Sequence, residues 1–68
     1  MEYSVYMYFD KKDKIYVASV PELEGCMAHG NTPEEALKEI QIACSLWLET
    51  ARENGAFIPE PGTKQMVV

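Results

Sequence analysis

Cationic side chains are scarce in this chain: six Lys and Arg stand against eleven Asp and Glu, for a formal net charge of −5. Nucleic acids are held by cations that displace counterions from phosphates, so the shortage argues against direct binding of DNA or RNA and favours a basic partner. Histidine occurs once, at His29, and cysteine twice, at Cys26 and Cys44. A closed structural zinc site takes four ligands, so these three residues fall short of one, and no metal or other cofactor is expected. Cys26 and His29 are three positions apart on an expected strand, project to opposite faces, and give no nucleophile–base pair. Gly25 and Gly30 do not have the spacing of a phosphate-cradling loop. No apolar run approaches the roughly 20 residues needed to cross a bilayer. With no secretory leader in view either, the cysteines read as reduced packing residues of a soluble, cytoplasmic protein with no membrane partner.

What the chain does have is a strand-rich first third and one long helical pattern. Glu2 to Phe9 alternates Tyr3, Val5, Met7 and Phe9 with Ser4, Tyr6 and Tyr8, a period of two built from strand formers. Both sets are substantially apolar, which suits a central strand of a sheet covered on two sides. Asp10 to Lys14 reads as a hairpin loop carrying three solubilising lysines, and Ile15 to Val20 as the antiparallel return strand, stopped by Pro21. A third short strand is expected over Cys26 to His29. Thr32 is a natural N-cap, Pro33 suits the first helical position, and Glu35 stands where a capping box places its carboxylate. From Pro33 to Asn54, Ala36, Leu37, Ile40, Ala43, Cys44, Trp47, Leu48 and Ala51 form one apolar stripe, and Gly55 follows as the C-terminal cap. At about 1.5 Å per residue such a helix outruns any of the strands, so its last turns should overhang the sheet. Pro59 and Pro61 make a loop of the next stretch, and Thr63 to Val68 is expected to form a fourth strand parallel to the first. The expected fold is α+β, in the order β-β-β-α-β, with the helix packed on one face of the sheet and residues 1–68 forming a single domain. A chain of 68 residues has a small core of its own and gains stability by burying surface against something else.

The run Pro21-Glu22-Leu23, then Gly25-Cys26, then Gly30-Asn31-Thr32-Pro33-Glu34-Glu35-Ala36-Leu37 resembles the core of the HicB-type antitoxin domain. Trp47-Leu48 late in the helix, Gly55, and Ile58-Pro59-Glu60-Pro61 are similar to the way that family leaves its helix. The resemblance spans roughly residues 3 to 61 and rests on the order and spacing of several short motifs together. It implies a partial ribonuclease H-like fold and an antitoxin that binds a small basic HicA-type toxin and blocks its cleavage of messenger RNA. Members usually add a C-terminal DNA-binding element that represses their operon; the residues through Val68 leave no length for one, so operator binding is not implied for this chain.

The residues themselves argue against catalysis. Ribonuclease H-type nucleases aim acids from the first strand, the helix and the fourth strand at paired metal ions. Here the first strand offers Tyr, Val, Met and Phe, no acid follows Glu60, and only Glu35 or Glu39 of the helix remain, so the protein is not expected to be an enzyme; a vestigial nuclease is one alternative and a toxin-free oligomeric scaffold another. The expected working surface is instead a docking one, for the toxin or for self-association as a homodimer or higher homo-oligomer. Tyr6, Tyr8 and Tyr16 supply rigid amphipathic area, and Ile42 and Leu46, stacked one turn apart off the main helical stripe, mark a second contact surface. Trp47, mid-stripe, is expected in the core.

Overall fold

A computed structural model describes residues 2–61 as an α+β fold: a three-stranded antiparallel meander followed by one helix. β1 (Tyr6–Asp10), β2 (Ile15–Ser19) and β3 (Met27–Gly30) lie in that order, and α1 (Pro33–Asn54) packs on one face, chiefly over β3 and then β2. Among the described residues β2 is therefore the middle strand, and β1, expected to be central, has β2 as its only neighbour. The expected fourth strand, Thr63 to Val68, lies outside the described residues.

The hairpin is set by local chemistry. One carboxylate oxygen of Asp10 accepts from the backbone N–H groups of Lys12 and Asp13, at 2.9 and 3.2 Å, and Lys14 closes the loop with φ of 55°. Asp10 then pairs with Ile15, Phe9 with Tyr16 and Met7 with Ala18. On the far side of β2, Ala18 pairs with Ala28 and Tyr16 with Gly30. Met7, Ala18 and Ala28 thus share the face toward α1, where Ala18 joins Val20, Leu23, Cys26, Ala36, Ile40 and Cys44 in the core.

β1 starts four residues later than its alternation suggests. The N–H of Ser4 donates to both oxygens of Glu22, at 3.0 and 3.2 Å, instead of entering the ladder. Glu22 itself is only 2 % exposed. It belongs to a tight loop in which the N–H groups of Val20, Leu23 and Cys26 donate to the carbonyls of Cys26, Val20 and Leu23, each at 3.0 Å. Gly25 turns this loop with φ of 80°.

Both ends of α1 fall where the sequence places them. The Thr32 hydroxyl accepts from Glu35 N–H at 3.1 Å, and the Glu35 carboxylate reaches back to Asn31 N–H at 3.0 Å, one residue earlier than a standard capping box. At the other end Gly55 is left-handed, Ala56 N–H donates to the Ala51 carbonyl at 2.9 Å and Gly55 N–H to that of Arg52 at 3.3 Å. The chain then folds back: the Tyr3 hydroxyl donates to the Pro59 carbonyl at 2.6 Å, and Phe57 and Pro59 line a groove with Trp47. The helical overhang is thereby partly covered, and Ala51 near its end is buried. Of the expected stripe, Leu37 at its border is 42 % exposed.

Candidate docking surface

Alternation along the meander defines a second sheet face that no element of the described structure covers. Tyr6 pairs with Ser19, which pairs with Met27; Tyr8 pairs with Val17, which pairs with His29. These two rows point away from α1, since the intervening row of Met7, Ala18 and Ala28 points toward it. Tyr6 and Tyr8 sit with ring centroids 5.8 Å apart, and Tyr6 is 60 % exposed. Aromatic side chains of this kind add large contact area with little entropy to lose.

Tyr16, grouped with them from sequence, lies on the other face. It is half-buried against the core, its ring centroid 5.0 Å from that of Phe9. The pairing of Asp10 with Ile15 puts Tyr16 opposite Phe9 rather than opposite Tyr8, and this parity decides its side of the sheet.

Ile42 and Leu46 do project together from the flank of α1, and Leu46 is 59 % exposed. They form one wall of a groove of about 630 Å³, whose opposite wall is β3 from Met27 to Gly30. Leu46 and Met27 continue into a second groove of about 480 Å³, running toward Gly25 and Trp47. Met27 is thus the corner at which the open sheet face meets the helix flank. From sequence, His29 is weighed only for catalysis or metal binding and Met27 is not singled out, although the alternation of Cys26 and Ala28 with Met27 and His29 carries the signal. Trp47 is half-buried against the core, as its place in the stripe suggests, and its indole N–H donates to the Glu24 carbonyl at 2.9 Å.

The acids are dispersed to separate tasks. Glu22 anchors Ser4, Glu35 caps α1, and Glu39 lines the groove beside Ile42. No three His, Cys, Asp or Glu side chains among the described residues converge on a point where a metal ion would fit. Among the same residues no helix is long and apolar enough to cross a membrane.

Cys26 and Cys44 are free and buried. Burial pushes both thiols above their ordinary value of 9.0; each is raised further by charge nearby, Cys26 by Cys44 and Cys44 by Glu22. Burial likewise raises the Tyr3 phenol. Because these groups ionise at lower pH in the unfolded chain than in the folded one, their stabilising contribution is complete below pH about 9 and declines above it. Thermal melts should therefore be nearly flat from pH 7 to about 8.5 as far as these groups act and fall at higher pH, and alkylation of the native thiols at pH 8 should be much slower than in urea. Fast labelling of the folded protein would contradict the burial.

A family model described as HicB_like antitoxin of bacterial toxin-antitoxin system matches residues 3–68. A UPF0150 protein of Thermoplasma acidophilum is 34% identical over 68 residues, covering 100% of this chain and 97% of that protein. A UPF0150 protein of Synechocystis sp. is 48% identical over 44 residues, 65% of this chain and 60% of that protein, so this match spans less than two thirds of the relative.

Proposed function

Because the chain belongs to the HicB-like antitoxins of bacterial toxin-antitoxin systems, we propose that it binds a small basic HicA-type toxin and inhibits that toxin's cleavage of messenger RNA. The family match over residues 3–68 carries the reading. The physical properties support the manner of action: a chain of net charge −5 is steered toward a cationic RNA-binding enzyme, and inhibition needs only that the complex cover the enzyme's active site or RNA surface. The antitoxin contributes docking surface and no reacting group. Self-association belongs to the same reading, through the open sheet face that carries Tyr6 and Tyr8.

The test is co-expression with the small basic protein encoded beside this gene. That protein alone should arrest growth, this chain should restore it, and the purified pair should form a stable complex in which RNA cleavage stops at equimolar antitoxin. Cleavage that persists with this chain in excess, or a neighbourhood with no such protein, would overturn the proposal. Sedimentation at tens of micromolar tests self-association, with a monomer as the adverse result.

A further inference from the structure

We propose that the outer edge of β3, together with the groove between it and Ile42 and Leu46, receives an extended cation-bearing segment of the toxin as an added strand. This rests on the toxin-binding reading above and assigns its place. Among the described residues no strand pairs with this edge, and the ladder sets which of its groups are free. Val20 N–H donates to the Cys26 carbonyl at 3.0 Å, in the same register as the β2–β3 pairs, so Val20 with Cys26 is a hydrogen-bonded pair. Antiparallel ladders alternate such pairs with non-bonded ones, so Ala28 and Gly30 bond toward β2 while the N–H and C=O groups of Met27 and His29 point outward. A short edge strand is commonly guarded by lysine, proline or a bulge. Met27-Ala28-His29-Gly30 carries neither lysine nor proline.

A strand laid along this edge would send every second side chain into the groove, where Ile42 and Leu46 offer apolar surface, and the alternate ones toward Met27 on the open sheet face. Its charge is chosen as well. Glu35 and Glu39 line the groove, no lysine or arginine among the described residues does, and at helical spacing Glu49 and Glu53 continue the same flank beyond Leu46. An apolar pair framed by acids fits a segment that alternates apolar with basic residues.

A second copy of this chain fits poorly. Gly30 lies against the backbone of Glu35 and Ala36, and α1 runs back along β3 from there toward Cys26. At about 3.3 Å per strand residue and about 1.5 Å per helix residue, the middle of β3 is level with Glu39. A twofold axis at that point sets Glu39 against its own copy and places Ile42 and Leu46 opposite the acidic first turn of the other helix. A second copy can match the strand or the apolar flank, not both, whereas a basic partner satisfies the edge, the groove and the charge together.

The probe is the neighbouring basic protein in a variant that no longer cleaves RNA, titrated against the full chain. Leu46→Asp and His29→Pro, which removes an outward N–H and no bond to β2, should each weaken binding about 30-fold or more. Glu39→Lys should lower affinity about tenfold at low salt and less at high salt. Tyr8→Ala, on the other face, should stay within about threefold of wild type. In the wild-type complex the amides of Met27 and His29 should exchange with solvent far more slowly than in the free chain, which keeps the test decisive if His29→Pro folds badly. If the wild-type complex forms but Leu46→Asp binds equally well and those amides remain unprotected, the docking site is wrong and the antitoxin reading stands. If the wild-type chain does not bind the probe, both fall. A wild-type dimer that His29→Pro dissociates would give the edge to a second copy and overturn the proposal.

Discussion

Gly30→Ala is expected to cost about 3 kcal/mol and leave a large share of the molecules unfolded at room temperature. A Cβ built at Gly30 stands 2.5 Å from the backbone N of Ala36 and 2.8 Å from the carbonyl carbon of Glu35. Neither atom can swing aside as a side-chain end would, so the first turn of α1 must retreat from β3. That retreat disturbs the contacts nearest the helix start: the Thr32 cap, the reach of Glu35 to Asn31, and the seat of Ala36 in the core. Overpacking a tight site costs about 1–3 kcal/mol, and a domain of this size has only a few kcal/mol in total, so the share lost is large. Gly25 and Gly55 are the controls, because a Cβ at either meets nothing within 4 Å and only their positive φ, 80° and 67°, resists alanine. Each of those substitutions should cost about 1 kcal/mol. Urea unfolding followed by Trp47 fluorescence separates the cases. A Gly30→Ala midpoint no lower than that of Gly55→Ala would show that helix and strand are not in this close contact.

The distribution of legible and illegible features in this chain follows the range of the forces concerned. Thr32, Pro33 and Gly55 gave the helix both its ends because capping is settled within one turn of backbone. Ile42 and Leu46 were readable as a pair because helical spacing alone puts them together. The start of β1 was not readable, since the ladder begins at Tyr6 and the Ser4 N–H goes instead to Glu22, eighteen residues on. Nothing local marks Glu22 as buried, because its burial depends on a loop that bends it under the N-terminal segment. Tyr16 went to the wrong group for a different reason: its face depends on the parity of a four-residue loop, and a shift of one residue would have put it with Tyr8. That β3 lies at an edge of the sheet among the described residues is a property of strand order, which no local pattern encodes. Once the order is known, the missing lysine and proline in that strand take on meaning.

Glu22→Ala should cost about 2–4 kcal/mol, the second large effect, through a group that composition alone would rank among the solvated acids. Its carboxylate is buried and holds the Ser4 N–H with both oxygens. No buried side-chain N or O among the described residues lacks a hydrogen-bond partner. Alanine leaves the Ser4 amide without its acceptor and opens a void beneath the segment that carries Tyr3, so the Tyr3 hydroxyl should also lose its hold on Pro59. Glu22→Gln keeps the shape and one carbonyl acceptor, and should cost about half as much. The pair of variants also separates packing from charge. Cys44 is raised first by burial and then by the Glu22 charge, whereas Cys26 is raised by burial and then by Cys44. In Glu22→Gln the burial of Cys44 persists and the charge is gone, so its thiol should move part of the way back toward the ordinary range while that of Cys26 stays nearly in place. Alkylation against pH, with each cysteine alone in a background where the other is alanine, reads the two sites separately. An equal shift at both cysteines would mean that the substitution loosened the core as a whole, and no shift at Cys44 would place the carboxylate too far away to act on it.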